Sequence, residues 1–209
     1  MMLVLRKALR EIAPSITKRF DNSGDYWRRR YWYGGNSGAG SRGFNAQRKA
    51  KFVTDFARSH GLKSIIDLGC GDGECASRIE VPKYTGYDVS EVAVIMARAR
   101  CRDINGHQFH AFADRDIKTG DLAISMDVAF HLVEDQVYFQ HLCDLAEHAR
   151  IAVLIYSTDY DSHADGHIRH RNVSRDWMQN FSGWAFTREQ GGNYNAEHFM
   201  MFTRAKVDL

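Results

Sequence analysis

The densest chemical signal in the chain is the run Ile65-Ile66-Asp67-Leu68-Gly69-Cys70-Gly71-Asp72-Gly73-Glu74. Three glycines at alternate positions after an apolar run let a ligand approach the backbone, because no Cβ stands in its way. Two ligand classes compete for such a turn. A dinucleotide wants G-x-G-x-x-G and a helix N-terminus clear of carboxylates, since its pyrophosphate is anionic. Here the third glycine comes one residue early, and Asp67, Asp72 and Glu74 crowd the turn, which suits a ligand with a cationic centre and an amine. A glycine triplet alone is more often only a tight turn. Asp88 follows Gly69 by 19 residues and closes the next expected strand.

Two more residues can take part in proton transfer. His131 follows Asp127 by four residues, and an imidazole there is the best-placed base for a hydroxyl, with Asp127 second. Each has an equally ordinary structural explanation, Asp127 as a helix cap and His131 as a satisfied histidine. The run 159–171, DYDSHADGHIRHR, alternates acids with histidines. It is not a calcium loop, since Ala164 stands where glycine is needed and His170 where the bidentate Glu belongs. No metal is expected there. His167, Arg169, His170 and Arg171 either face an acceptor, where the arginines would favour phosphate or carboxylate, or form a solvated basic loop. Cys70, Cys75, Cys101 and Cys143 contain no C-x-x-C pair and read as reduced thiols.

These residues need elements to hold them. Asn45 as N-cap, Ala46, Ala50, Val53 and Ala57 at helical spacing, and Gly61 at C′ predict a helix over 45–60. A strand over 64–68, the glycine turn and a brief helix near 74–79 follow. Strands are then expected at 84–88 and 107–112, the first followed by a helix capped by Ser90 with a Val92, Ala93, Met96, Ala97 stripe. The segments 122–126 and 151–156 are uniformly apolar, as central parallel strands covered on both faces are. A helix at 135–148 separates them. The pattern predicts a doubly wound, mostly parallel α/β sheet ending in an antiparallel hairpin, 184–188 with 198–203, around Gly191-Gly192. Residues 1–44 form an appendage to a domain over 45–209. Within the appendage, Tyr26, Trp27, Tyr31, Trp32 and Tyr33 with three arginines precede a Gly/Ser run, which suits either a mobile lid or a fixed strap.

Composition limits the alternatives. With 209 residues, 44% hydrophobic and 26% charged, the chain is expected to fold around one core. No apolar run approaches the ~18 residues of a membrane span. The first twenty residues mix Arg and Lys through their apolar positions, so a secretory leader is not expected and the location reads as cytoplasmic. A net charge of +2 does not announce a nucleic-acid binder.

The phrase D-x-G-x-G-x-G after the first strand resembles motif I of class I S-adenosylmethionine-dependent methyltransferases. The resemblance covers about residues 45–205 and implies a Rossmann-like seven-stranded sheet with an antiparallel C-terminal edge hairpin. It implies that Asp67, Gly69, Cys70, Gly71, Asp72 and Gly73 surround the cofactor, that Asp88-Val89-Ser90 hold its ribose, that Ala113 and Asp114 meet adenine, and that Met126-Asp127 lie near methionine and acceptor. The stretch from Tyr26-Trp27 through GGNSGAGS to His131-Leu-Val-Glu-Asp135 also looks like a bacterial subgroup associated with surface-glycan gene clusters. The expected activity is methyl transfer to a small-molecule or glycan-type acceptor, on oxygen. An RNA or protein methyltransferase and a non-catalytic binder of the cofactor are the alternatives. Asp127-Val-Ala-Phe130 departs from the N/D-P-P-Y/F element of enzymes that methylate nucleobase amines.

Overall fold

The computed structural model describes residues 20–114, 116–190 and 197–205, with only the backbone for Asp114 and Gln190. Seven strands form one sheet in the order β3-β2-β1-β4-β5-β7-β6. They are β1 (Ser64–Leu68), β2 (Lys83–Asp88), β3 (His107–Ala111), β4 (Gly120–Met126), β5 (Ala149–Thr158), β6 (Trp184–Gln190) and β7 (Glu197–Arg204). The first five run parallel, and β7 is antiparallel to both β5 and β6. The expected edge hairpin is therefore present, while its Gly191-Gly192 turn lies outside the described residues.

Among the described residues five α-helices flank the sheet: α1 (Ser23–Trp32), α2 (Gly43–Ser59), α3 (Glu91–Arg100), α4 (Asp135–His148) and α5 (Val173–Asn180). Alternate residues of the strands feed two cores. Ile65, Leu122 and Leu154 pack with Val53 and Ala57 of α2 and Val94 and Ala97 of α3. Ile66, Ala123 and Val153 pack with Leu142 and Leu145 of α4 and Trp177 of α5. At roughly 1.5–3 kcal/mol for each fully buried large apolar side chain, these two layers dominate the fold's stability.

Register decides where a site can form. Asp67 of β1 lies opposite Gly86 of β2 on one side and Ile124 of β4 on the other, so the chain departs from β1 in opposite directions. That switch point opens a crevice beyond the carboxyl ends of β1, β2 and β4.

Some expectations need correcting. Asn45 does not cap α2: the helix starts two residues earlier, at a turn over Ala39–Ser41, and Asn45 instead donates to the Ala39 carbonyl at 3.4 Å. The C-terminal signal behaves as expected, with the Gly61 amide donating to Arg58 O and Leu62 to Ala57 O. The brief helix near 74–79 is a short turn over Ala76–Arg78. Helix α5, not expected from sequence, spans only eight residues and sits behind a polar run that hides its Val173–Trp177 stripe.

Candidate active site

The crevice is a cavity of about 680 Å³, walled by the glycine turn, the ends of β2 and β4, one side of α4 along its length and helix α1. Gly69 has φ +98, and a Cβ there would stand 2.4 Å from Val128; at Gly71, φ +58, it would stand 2.9 Å from the Tyr31 hydroxyl. Only glycine fits this turn between those neighbours. Asp88 is buried on the wall, accepting from Gly71 N at 3.0 Å and Ser90 N at 2.8 Å. Burial pushes its carboxyl up to about 6, against the pull of those amides.

Asp127 ends β4 with φ +60, the one left-handed non-glycine among the described residues. Its conformation is held from three sides. Its amide donates to Tyr156 O at 3.0 Å, Ser41 Oγ donates to Oδ2 at 2.7 Å, and Lys49 Nζ contacts the same oxygen. Lys49 is 1% exposed and also donates to Gly40 O at 2.8 Å, so its charge is spent on Asp127 and on the loop preceding α2. Sequence reading missed Lys49, although its place between Ala46 and Ala50 on the apolar stripe of α2 was the available signal.

His131 lies in the Ala129–His131 turn after β4 and lines the cavity. The His167 carbonyl accepts from its Nδ1 at 3.1 Å, which fixes the tautomer with Nε2 unprotonated. The ring stacks on His167 at 5.2 Å and meets Trp27 edge-on at 4.9 Å. Burial lowers the imidazole to about 4.

The model of the methyltransferase domain family matches residues 41–207. The chain belongs to this methyltransferase family. Solved structures agree in fold. Magnesium protoporphyrin IX methyltransferase from Synechocystis PCC 6803 with bound S-adenosylhomocysteine superposes with TM-score 0.64 at 16% identity, covering 92% of this chain and 100% of that one. N-methyltransferase NodS from Bradyrhizobium japonicum WM9, also with S-adenosylhomocysteine, gives 0.65 at 13% identity, covering 89% and 100%. A bacterial CtHen1-C methyltransferase domain gives 0.61 at 19% identity, covering 76% and 98%. No curated protein matches by sequence.

Within this methyltransferase the expected site residues separate into two groups. Gly69, Gly71, Asp88, Val89, Met126, Asp127, His131, Trp27 and Tyr31 reach the cavity wall. The others serve it from behind or not at all. Asp67 lies beneath the turn, with Tyr84 donating to Oδ2 and Oδ1 buried without a partner; burial raises its carboxyl to about 7. Asp72 and Glu74 do not present charge to the ligand, because Arg42 and Arg100 engage both and Arg78 engages Glu74. Buried carboxylates need such partners. Cys70 and Gly73 face inward, packing against Gly86 and Ala97, and Ser90 caps α3. Ala113 is exposed beside the wall residue Phe112, and the side chain of Asp114 lies outside the described residues. Tyr26 is buried against His167 at 4.2 Å, and Trp32 is 52% exposed.

None of His167, Arg169, His170 and Arg171 lines the cavity; the tip of the loop, residues 163–166, is exposed, while Arg171 is buried and the other three are half-buried. Arg171 is 5% exposed and donates to Leu132 O, Val133 O and Asp135, and Arg169 also engages Val133 O and Asp135. His170 pairs with Thr158 Oγ1 at 2.8 Å. These side chains build the floor that carries His131. Among the described residues no group of three or more acids, histidines or cysteines is placed to hold a metal, and no helix is long and apolar enough to cross a membrane.

S-adenosylmethionine fits the wall residues chemically. Asp88 offers acceptor capacity to ribose hydroxyls, the Gly69–Gly71 turn admits close approach, and Met126 and Asp127 lie at the end of β4, where the polar methionine tail needs partners.

Proposed function

We propose that the chain transfers the methyl group of S-adenosylmethionine to a hydroxyl of a small-molecule or glycan-type acceptor, with His131 accepting the proton. The observation that carries this reading is the His131 ring itself, turned so that Nε2 is an unprotonated acceptor at the cavity wall. When bound, S-adenosylmethionine supplies an electrophilic methyl carbon whose sulfur leaves with the C–S electron pair as a neutral thioether. Asp88 anchors the ribose and the wall excludes water, so most of the rate enhancement is alignment of oxygen, carbon and sulfur. An acceptor hydroxyl becomes strongly acidic as its oxygen bonds to carbon, so even an imidazole lowered to about 4 takes the proton late in the step. Asp127 accepts a hydrogen bond that orients the acceptor.

The test is transfer of labelled methyl from S-adenosylmethionine to fractionated metabolites, with the product located by mass spectrometry. His131→Ala is expected to lower kcat by ~10²- to 10⁴-fold, the usual worth of general-base assistance, with S-adenosylhomocysteine affinity retained. In the unaltered enzyme kcat should stay level down to about pH 5 and fall as His131 protonates near 4. Full activity of His131→Ala would return this residue to a structural role.

A further inference from the structure

The wall of the cavity carries no lysine or arginine among the described residues, whereas Asp88, Asp127 and Asp144 lie on it. The cations nearby are each engaged elsewhere. Lys49 is behind Asp127, and Arg169 and Arg171 hold backbone carbonyls and Asp135. Arg30 donates to Asn36 O and the Tyr26 hydroxyl and lies over the Trp27 ring at 5.3 Å without reaching the cavity wall, and Arg28 donates to Asp25 and Val89 O. A second feature concerns hydrogen-bond polarity. Where Asp127 and His131 Nε2 meet the cavity, the protein offers acceptors, which a hydroxyl can satisfy and an ionised phosphate cannot. A third is shape, since Trp27 stands edge-on to His131 at 4.9 Å and presents apolar surface beside the base.

Resting on the reading that this cavity binds S-adenosylmethionine, we infer that its acceptor end selects an uncharged, hydroxyl-bearing ring of sugar or phenol size packed against Trp27, and rejects acceptors carrying phosphate or carboxylate. An anion entering there would meet acceptor atoms on Asp127 and His131 and no lysine or arginine on the wall, and an anion stripped of water against acceptors is strongly penalised. The same argument excludes the backbone of nucleic acid, whose binding depends on lysine and arginine contacts to phosphate.

The experiment uses the full chain saturated with S-adenosylhomocysteine. Saturation-transfer NMR and calorimetry compare matched probes: methyl glucoside with glucose 6-phosphate, catechol with phenyl phosphate, and a short RNA hairpin. At least one uncharged probe is expected to bind, its phosphate counterpart at least about tenfold more weakly, and the hairpin not at all. The sugar and phenol arms identify which ring class the end prefers. Asp127→Asn leaves the Lys49 charge uncompensated, so the ratio of phosphate to uncharged binding should shift several-fold toward phosphate. Trp27→Ala should weaken the uncharged probe while S-adenosylhomocysteine affinity holds. Equal or tighter binding by a phosphate probe, binding of the hairpin, or failure of both uncharged probes overturns the inference. If S-adenosylhomocysteine itself does not bind, the underlying reading fails instead, and calorimetry of that step alone tells the two failures apart.

Discussion

Asp88 does two things at once. Its oxygens accept from the amides of Gly71 and Ser90, so it ties the glycine turn to the start of α3 while it lines the cavity. Asp88→Ala is therefore expected to weaken S-adenosylhomocysteine binding by ~1–3 kcal/mol and to lower the melting temperature of the free protein, because two buried amides lose their acceptor. Asp88→Asn, which keeps an acceptor oxygen, should fall between. Calorimetry showing unchanged affinity in the alanine variant would remove Asp88 from the ribose role. Lys49 and Asp127 make a different pair. Removing one partner leaves the other buried and uncompensated, so Lys49→Met should cost about 3–5 kcal/mol, and adding Asp127→Asn should recover part of it. Urea unfolding of the single and double variants measures both, and additive losses would contradict the coupling. Asp88 was legible in the sequence because it ends an apolar run at a fixed distance from the glycines. Lys49 was not recognised, since a lysine in a helix reads as solvated until the register shows its neighbours Ala46 and Ala50 to be inside.

At the level of elements, the central strands were legible because burial on both faces leaves apolar runs such as 152–156, and 122–126 broken only by Ser125. The basic loop misled, because composition does not say where an arginine points; Arg171 turned inward to cap carbonyls that the irregular turn after β4 leaves open. The aromatic segment is similar. Tyr26 and Tyr31 of α1 are buried, whereas Trp32 points to solvent. Beyond α1, residues 36–42 are fastened to the body. Asn36 O accepts from Arg30, Ser37 and Arg42 donate to Asp72, and Ser41 donates to Asp127. Such anchoring favours a fixed strap over a lid. Limited proteolysis is expected to leave 34–41 equally resistant with and without S-adenosylhomocysteine, whereas Asp72→Ala, which removes the acceptor of Ser37 and one of the two carboxylates held by Arg42, should open this segment to cleavage. Marked protection by the ligand in the unaltered chain would restore the lid to the mechanism.

Across the whole molecule, buried titratable groups of opposite character pull against each other as pH changes. His131 and His141 are lowered to about 4 by burial, so the stability they contribute is present above the unfolded value near 6.5 and is lost as pH falls through 4. Asp67 and Asp88 are raised to about 7 and about 6. Their contribution runs the other way, present below the unfolded value near 3.8 and lost as pH rises through 6 and 7. Between pH 4 and 6.5 the two pairs oppose, and a shallow pH dependence from these four groups is the expected sum. Removing one histidine exposes the balance. His141 is 7% exposed, bonds Ser125 Oγ at 2.8 Å and lies on the α4 side of the cavity, with no part in the proposed proton transfer, and glutamine can keep that hydrogen bond without titrating. Relative to the unaltered protein, His141→Gln should gain about 2 kcal/mol of unfolding free energy on going from pH 7 to pH 5, the linkage expected for one imidazole shifted this far. Urea unfolding at the two pH values reads the difference directly. If both proteins change equally, His141 is protonated in the native state and the opposing carboxylates, rather than a balance of the two pairs, set the acid behaviour of the fold.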